Sequence, residues 1–155
     1  MKNHPTGQPD QSGIMLLEAL IAILIFSLGI LTLIALQATS IKLTGDAKYR
    51  TDATLLANRL IGQMWVHGGN LAALEADFKT GGDAYNDWLS DVSAQSGLPG
   101  VVAAGSGEIG TLPQVEVTLT PTSARVKITV FWRTPEMSAN ERHQHIVTTQ
   151  LAKNL

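Results

Sequence analysis

The amino-acid sequence predicts an α+β chain, a long N-terminal helix packed on a small antiparallel β-sheet head. Three observations predict it. Ile14 to Leu36 is a 23-residue stretch whose only charge is Glu18. Apolar residues then continue at roughly helical spacing to Trp65, with no proline to interrupt them. After Pro113 the apolar period changes to two, the signature of half-buried strands.

The first element is a leader. Residues 1–13, MKNHPTGQPDQSG, hold two prolines, two glycines and no apolar run, which reads as a segment without regular structure. Next come residues 14–36, IMLLEALIAILIFSLGILTLIAL. A bilayer core about 30 Å thick needs roughly 20 apolar residues as helix. This stretch fits, and it is apolar all round rather than along one stripe. A small head does not bury a helix of that kind, so the reading is a transmembrane or assembly helix.

Residues 37–66 turn amphipathic within the same helix. Ile41, Ala53, Leu56, Leu60, Ile61 and Met64 recur at roughly helical spacing among Lys, Asp and Arg. One face is expected to pack on the head. A helix from Ile14 to Trp65 is about 80 Å long at a rise of 1.5 Å per residue. Gly29 and Gly45 weaken it by about 1 kcal/mol each relative to Ala. The run His67-Gly68-Gly69-Asn70 ends it through glycine chemistry.

Residues 67–155 form the head. Leu71 to Trp88 reads as a short helix, a Gly81-Gly82 break and a further turn or two capped by Asp83. Ser96 to Pro113 is rich in Gly, Ser and Pro and reads as a long loop. Strands are expected near 114–120, 124–133 and 144–151. In the first, Val115, Val117 and Leu119 face one side. In the second, Val126, Ile128, Val130 and Trp132 do, alternating with Lys127, Thr129 and Phe131. Pro121-Thr122-Ser123 suits a hairpin, and the polar loop Pro135 to Arg142 leads to the third strand. Three strands with one apolar face can cover one side of the amphipathic helix.

Composition excludes several function classes. With 155 residues there is room for one domain. A formal net charge of -2 carries no basic signature for nucleic acid. The absence of cysteine excludes a disulfide framework and thiolate metal sites. His143 and His145 form an H-x-H pair without a third ligand and read as solvated strand histidines. Asp83, Asp87 and Asp91 fall at i, i+4 spacing and read as a solvated face. Trp65, Trp88 and Trp132 read as core. The glycine-rich loop from Gly97 to Gly110 lacks the Lys-Ser/Thr ending of a phosphate loop. No catalytic arrangement, metal site or cofactor site stands out, so the chain is expected to be no enzyme.

The informative constellation is Gly13, then Ile14-Met15-Leu16-Leu17, then Glu18. A charge at the centre of a membrane helix costs about 2.5–3.5 kcal/mol, and less near the end, where Glu18 sits. A carboxylate there needs a partner. Cleavage after Gly13 frees an amine at Ile14, and Glu18 of one subunit can then neutralise Ile14 of its neighbour. An ordinary secretory signal is instead cut after its apolar region, at small residues.

The block G-I-M-L-L-E-A-L-I-A-I-L-I-F-S-L-G-I-L, continued by T-L-I-A-L-Q-A, resembles the prepilin-type signal of type IV pilins. Within that group it is most similar to the minor pilin family called type IV pilus modification protein PilV, with L-L-E-A-L-I-A-I-L-I-F-S-L-G-I-L and L-Q-A as the specific strings. V-K-I-T-V-F-W-R and I-V-T-T-Q-L are similar more weakly. Strong resemblance covers roughly residues 13–38. It implies a pilin-like fold and processing by a prepilin peptidase between Gly13 and Ile14, with methylation of the Ile14 amine. It implies that Glu18 sets subunit register. The implied partners are other major and minor pilins, the inner membrane and the pilus assembly machinery. The implied location is a single-pass inner-membrane form with a periplasmic head, then the pilus.

The chain departs from the family pattern in three places. Ile14 stands where phenylalanine is usual, Met15 where threonine or serine is frequent, and no cysteine closes a C-terminal loop. The positive-inside bias points the other way as well, since Lys2 precedes the span while Lys42, Lys48 and Arg50 follow it. Three alternatives remain at this stage. They are a type II secretion pseudopilin, an uncleaved single-span anchor carrying a binding head, and a secreted binder cut after Ala38.

Overall fold

The computed structural model describes residues 12–67, 70–94, 97–105 and 108–152. Three helices, α1 (Ser12–Val66), α2 (Leu71–Phe78) and α3 (Asp83–Val92), precede three strands, β1 (Gln114–Leu119), β2 (Ser123–Trp132) and β3 (His143–Ala152). The chain divides into two compact units, Met1–Gly45 and Asp46–Leu155. Together they give an α+β chain with one long apolar N-terminal helix and a small three-stranded antiparallel sheet.

In the first unit, the described residues are α1 from Ser12 to Gly45, unbroken through Gly29. Ser27, Thr32 and Thr39 bond back to the helix's own carbonyls. Ser27 Oγ donates to the Leu24 carbonyl at 2.9 Å, and Thr32 Oγ1 to the Leu28 carbonyl at 2.9 Å. Thr39 Oγ1 reaches the Ala35 carbonyl at 3.1 Å. Such local bonds would lower the cost of placing these hydroxyl groups in an apolar surrounding.

In the second unit, one face of the α1 segment from Asp46 to Val66 enters the core. Ala53, Ala57, Leu60 and Met64 are buried at helical spacing. They pack with Leu74 and Phe78 of α2, Tyr85, Trp88 and Val92 of α3, and the inward side chains of the sheet. Two hydrogen bonds lock this packing. Trp88 Nε1 donates to the Leu56 carbonyl at 2.9 Å, fixing α3 on α1. Tyr85 Oη donates to the Pro113 carbonyl at 2.7 Å, tying α3 to the start of β1. The small residues Ala53 and Ala57 allow close approach, while Leu60 and Met64 fill volume.

The sheet order is β1-β2-β3, antiparallel throughout. Val115 pairs with Ile128 and Val117 with Val126; on the other side Ile128 pairs with Val147 and Val130 with His145. These residues share the inner face. Leu119 pairs with Ala124 at the hairpin, and the Thr120 N–H donates to the Ser123 carbonyl at 2.7 Å.

Several sequence expectations need correction. Ile41 is 74% exposed and packs on nothing within its own unit. Trp65 is 50% exposed, because it sits one residue, about 100° of helix, past the inward-facing Met64. Asp83 is the first residue of α3 rather than its cap; Gly82 holds the cap position and makes no side-chain cap bond. Asn70 caps α2, its side chain accepting from the Ala73 N–H at 2.9 Å. Phe131 alternates outward yet is buried, because the Arg142 guanidinium lies 3.8 Å above its ring centre.

A buried hydroxyl helps to hold the long loop before β1. Thr111 Oγ1 donates to the Gly100 carbonyl at 2.5 Å and accepts the Val102 N–H at 2.8 Å. Gly100 has φ +63°, and a Cβ there would meet the Arg133 carbonyl oxygen at 2.6 Å, so glycine is required on both counts. Arg133 clamps the same loop by donating through Nη2 to the Ile109 carbonyl at 2.6 Å and through Nε to the Glu141 carbonyl at 3.1 Å.

Candidate assembly site at the start of the long helix

The candidate site lies in the first unit. Residues 1–11 of the expected leader fall outside the described residues. The described part of the helix begins at Ser12, and the Gly13–Ile14 peptide bond lies within it. A Cβ built on Gly13 meets nothing within 4 Å, so the local packing in this chain imposes no need for glycine.

Glu18 is exposed and sits four residues, one helical turn, beyond Ile14. Ile14, Met15, Leu16 and Leu17 are all more than half exposed. Among the described residues no ion pair involves Glu18. Exposure of 43–70% continues along the large apolar side chains from Leu20 to Leu36. An apolar surface of this extent in water is far beyond what a soluble monomer carries. α1 is long and apolar enough to cross a membrane, and its apolar part is not buried within the protein. The arrangement is thus an apolar rod with one carboxylate near its N-terminal end.

The remaining candidates separate from this site. His143 stacks on Trp132 with ring centres 5.3 Å apart, and His145 Nε2 lies 3.3 Å from Thr54 Oγ1. His145 therefore faces α1, and both histidines are half-buried rather than solvated. Asp91 pairs with Arg59 at 3.0 Å, while Asp83 and Asp87 stay exposed. No group of three or more potential metal-ligating side chains occurs among the described residues. Thr111 and Arg133 fasten the loop at Gly100, Val102 and Ile109, and its described residues open no helix.

Sequence reasoning did not single out His67. It follows the last residue of α1, its ring packs edge-on against Phe78 at 5.3 Å, and Nε2 lies 3.5 Å from Asp77 Oδ2. That separation is long for a hydrogen bond and short enough for charge attraction when the ring is protonated. A lone His beside two glycines carries no periodic signal. Comparisons with family models, with curated proteins and with solved structures return no match for this chain.

Proposed function

We propose that this chain is a minor pilin, a structural subunit for the initiation, assembly or modification of a type IV pilus. A prepilin peptidase cleaves between Gly13 and Ile14, and the freed Ile14 amine is methylated. The mature chain is held in the inner membrane by residues 14–36 with its head in the periplasm, and then enters the fibre beside other pilins. The protein is not an enzyme in this reading and uses no cofactor.

The observation that supports the reading is the spacing of Gly13, Ile14 and Glu18 at the head of an otherwise uncharged, fully exposed apolar helix. A carboxylate one turn inside the end of an apolar span costs free energy unless it is paired. In a bundle of stacked helices the carboxylate of one subunit meets the new amine of the next. Helix packing through apolar surface supplies most of the attraction. The charge pair penalises every other axial position, since a misplaced helix leaves a charge unpaired in an apolar surrounding.

Glu18→Ala tests this. The variant should be membrane-inserted and processed, keep the thermal unfolding of the head, and be lost from sheared fibres. Wild-type amounts of the variant in sheared fibres would rule out the register role.

A further inference from the structure

The two edges of the sheet are finished differently. β1 forms one edge, and Thr80, between α2 and α3, bonds to it at Val115. The Thr80 N–H donates to the Val115 carbonyl at 3.0 Å, and the Val115 N–H donates to Thr80 Oγ1 at 2.8 Å. β3 forms the other edge. Among the described residues, no main-chain group of β3 bonds to anything outside the β2 ladder.

β3 also lacks the usual protections of an edge strand. Its ten residues, HQHIVTTQLA, include no Lys, Arg, Asp, Glu or Pro. Its register with β2 runs through ten consecutive pairs with no bulge. The core is thin beneath it. His143, His145, Val147 and Thr149 are half-buried, whereas their partners Trp132, Val130, Ile128 and Val126 on β2 are buried.

We propose that the β3 edge accepts an extended segment of a different protein as a fourth strand, apolar on the face toward α1 and acidic on the other. Main-chain hydrogen bonds along the open edge supply affinity, and side chains at alternate positions supply selectivity. Apolar residues on the inner face complete the cover over Val147. On the outer face Arg125 is exposed, lies across from Gln150, and has no ion-pair partner among the described residues, while its neighbour Lys127 is paired with Glu116 at 3.0 Å. A fourth strand lies two strand spacings from β2, about 9.5 Å. An arginine and a glutamate side chain together span that distance.

A second copy of this chain is a poor occupant, because β3 holds no acidic residue and would leave Arg125 without a counter-charge.

The test uses the full chain in detergent micelles and two nine-residue probe peptides, one alternating Val with Glu and one alternating Val with Lys. Amide hydrogen exchange is followed across His143–Ala152. The Val-Glu peptide should slow exchange there by about tenfold or more, as protection of one ladder of bonds implies. It should bind the wild type about fivefold or more tightly than the Val-Lys peptide, the size expected when an exposed ion pair is exchanged for a like-charge contact. Arg125→Glu, at an exposed site, should keep the fold and reverse that preference. Three results overturn the proposal. One is no slowing with either peptide. Another is equal binding of both peptides to wild type and variant. The third is protection without peptide that grows with the concentration of the chain itself, which assigns the edge to a second copy.

Discussion

Truncating Leu60 tests how α1 enters the head. The side chain is fully buried and lies in the core formed by α1, α2, α3 and the sheet. Leu→Ala at such a site removes apolar burial and leaves a cavity, at a cost of about 3 kcal/mol or more. A head of this size has a total stability of about 5–15 kcal/mol. Each kcal/mol shifts the midpoint of a domain near 100 residues by about 4 °C or more. Leu60→Ala should therefore lower the head's Tm by about 12 °C or more. Leu55, five residues earlier on the same helix, is 62% exposed. Leu55→Ala should cost no more than about 0.5 kcal/mol. The assay is thermal unfolding of the full chain in detergent, followed by tryptophan fluorescence, because Trp88 and Trp132 are each 1% exposed and report core packing. Equal losses from the two substitutions would show that the helix presents a different face to the sheet.

The other predictions are smaller in scope. Thr111→Val keeps the shape and removes the bonds to Gly100 and Val102. It should destabilise the head by about 1–3 kcal/mol, with faster amide exchange around Val102 as the specific sign. Burial raises the Tyr85 pKa, so the folded head favours the neutral phenol. The stabilisation tied to that phenol is complete below the ordinary tyrosine value near 10 and is lost as pH rises through the folded value. Wild-type Tm should fall above about pH 10, and Tyr85→Phe should flatten that fall, as read from melting curves across alkaline pH. Gly13→Val should leave a longer, unprocessed membrane form on a denaturing gel; a variant of mature size would count against the cleavage position.

The sheet was legible because one-sided burial writes a period of two into each strand. Alternation in the sequence marks strands near 114–120, 124–133 and 144–151, and the strands run Gln114–Leu119, Ser123–Trp132 and His143–Ala152. The amphipathic half of α1 was legible for the same reason, with Ala53, Leu60 and Met64 buried. What escaped were residues whose role comes from contacts distant in the chain. Thr80 and Thr111 are single hydroxyl residues in loops, and nothing in their neighbours marks them as fasteners. Phe131 breaks the alternation rule because Arg142, eleven residues later, covers it. Ala57 is fully buried, yet a small apolar residue stands out less in a pattern than a leucine. At the candidate site the position is reversed. Gly13, Ile14 and Glu18 are informative in the sequence because of their spacing. The folded chain adds only their exposure, since their proposed partners belong to other molecules.

The mass of the N-terminal peptide from the assembled protein tests the central claim most directly. If Glu18 is tolerated in its apolar setting by the released Ile14 amine of a neighbouring subunit, that peptide begins at Ile14 and carries one added methyl group. A peptide that still contains the residues before Ile14 would leave the carboxylate without its counter-charge and reduce the molecule to a membrane-anchored head.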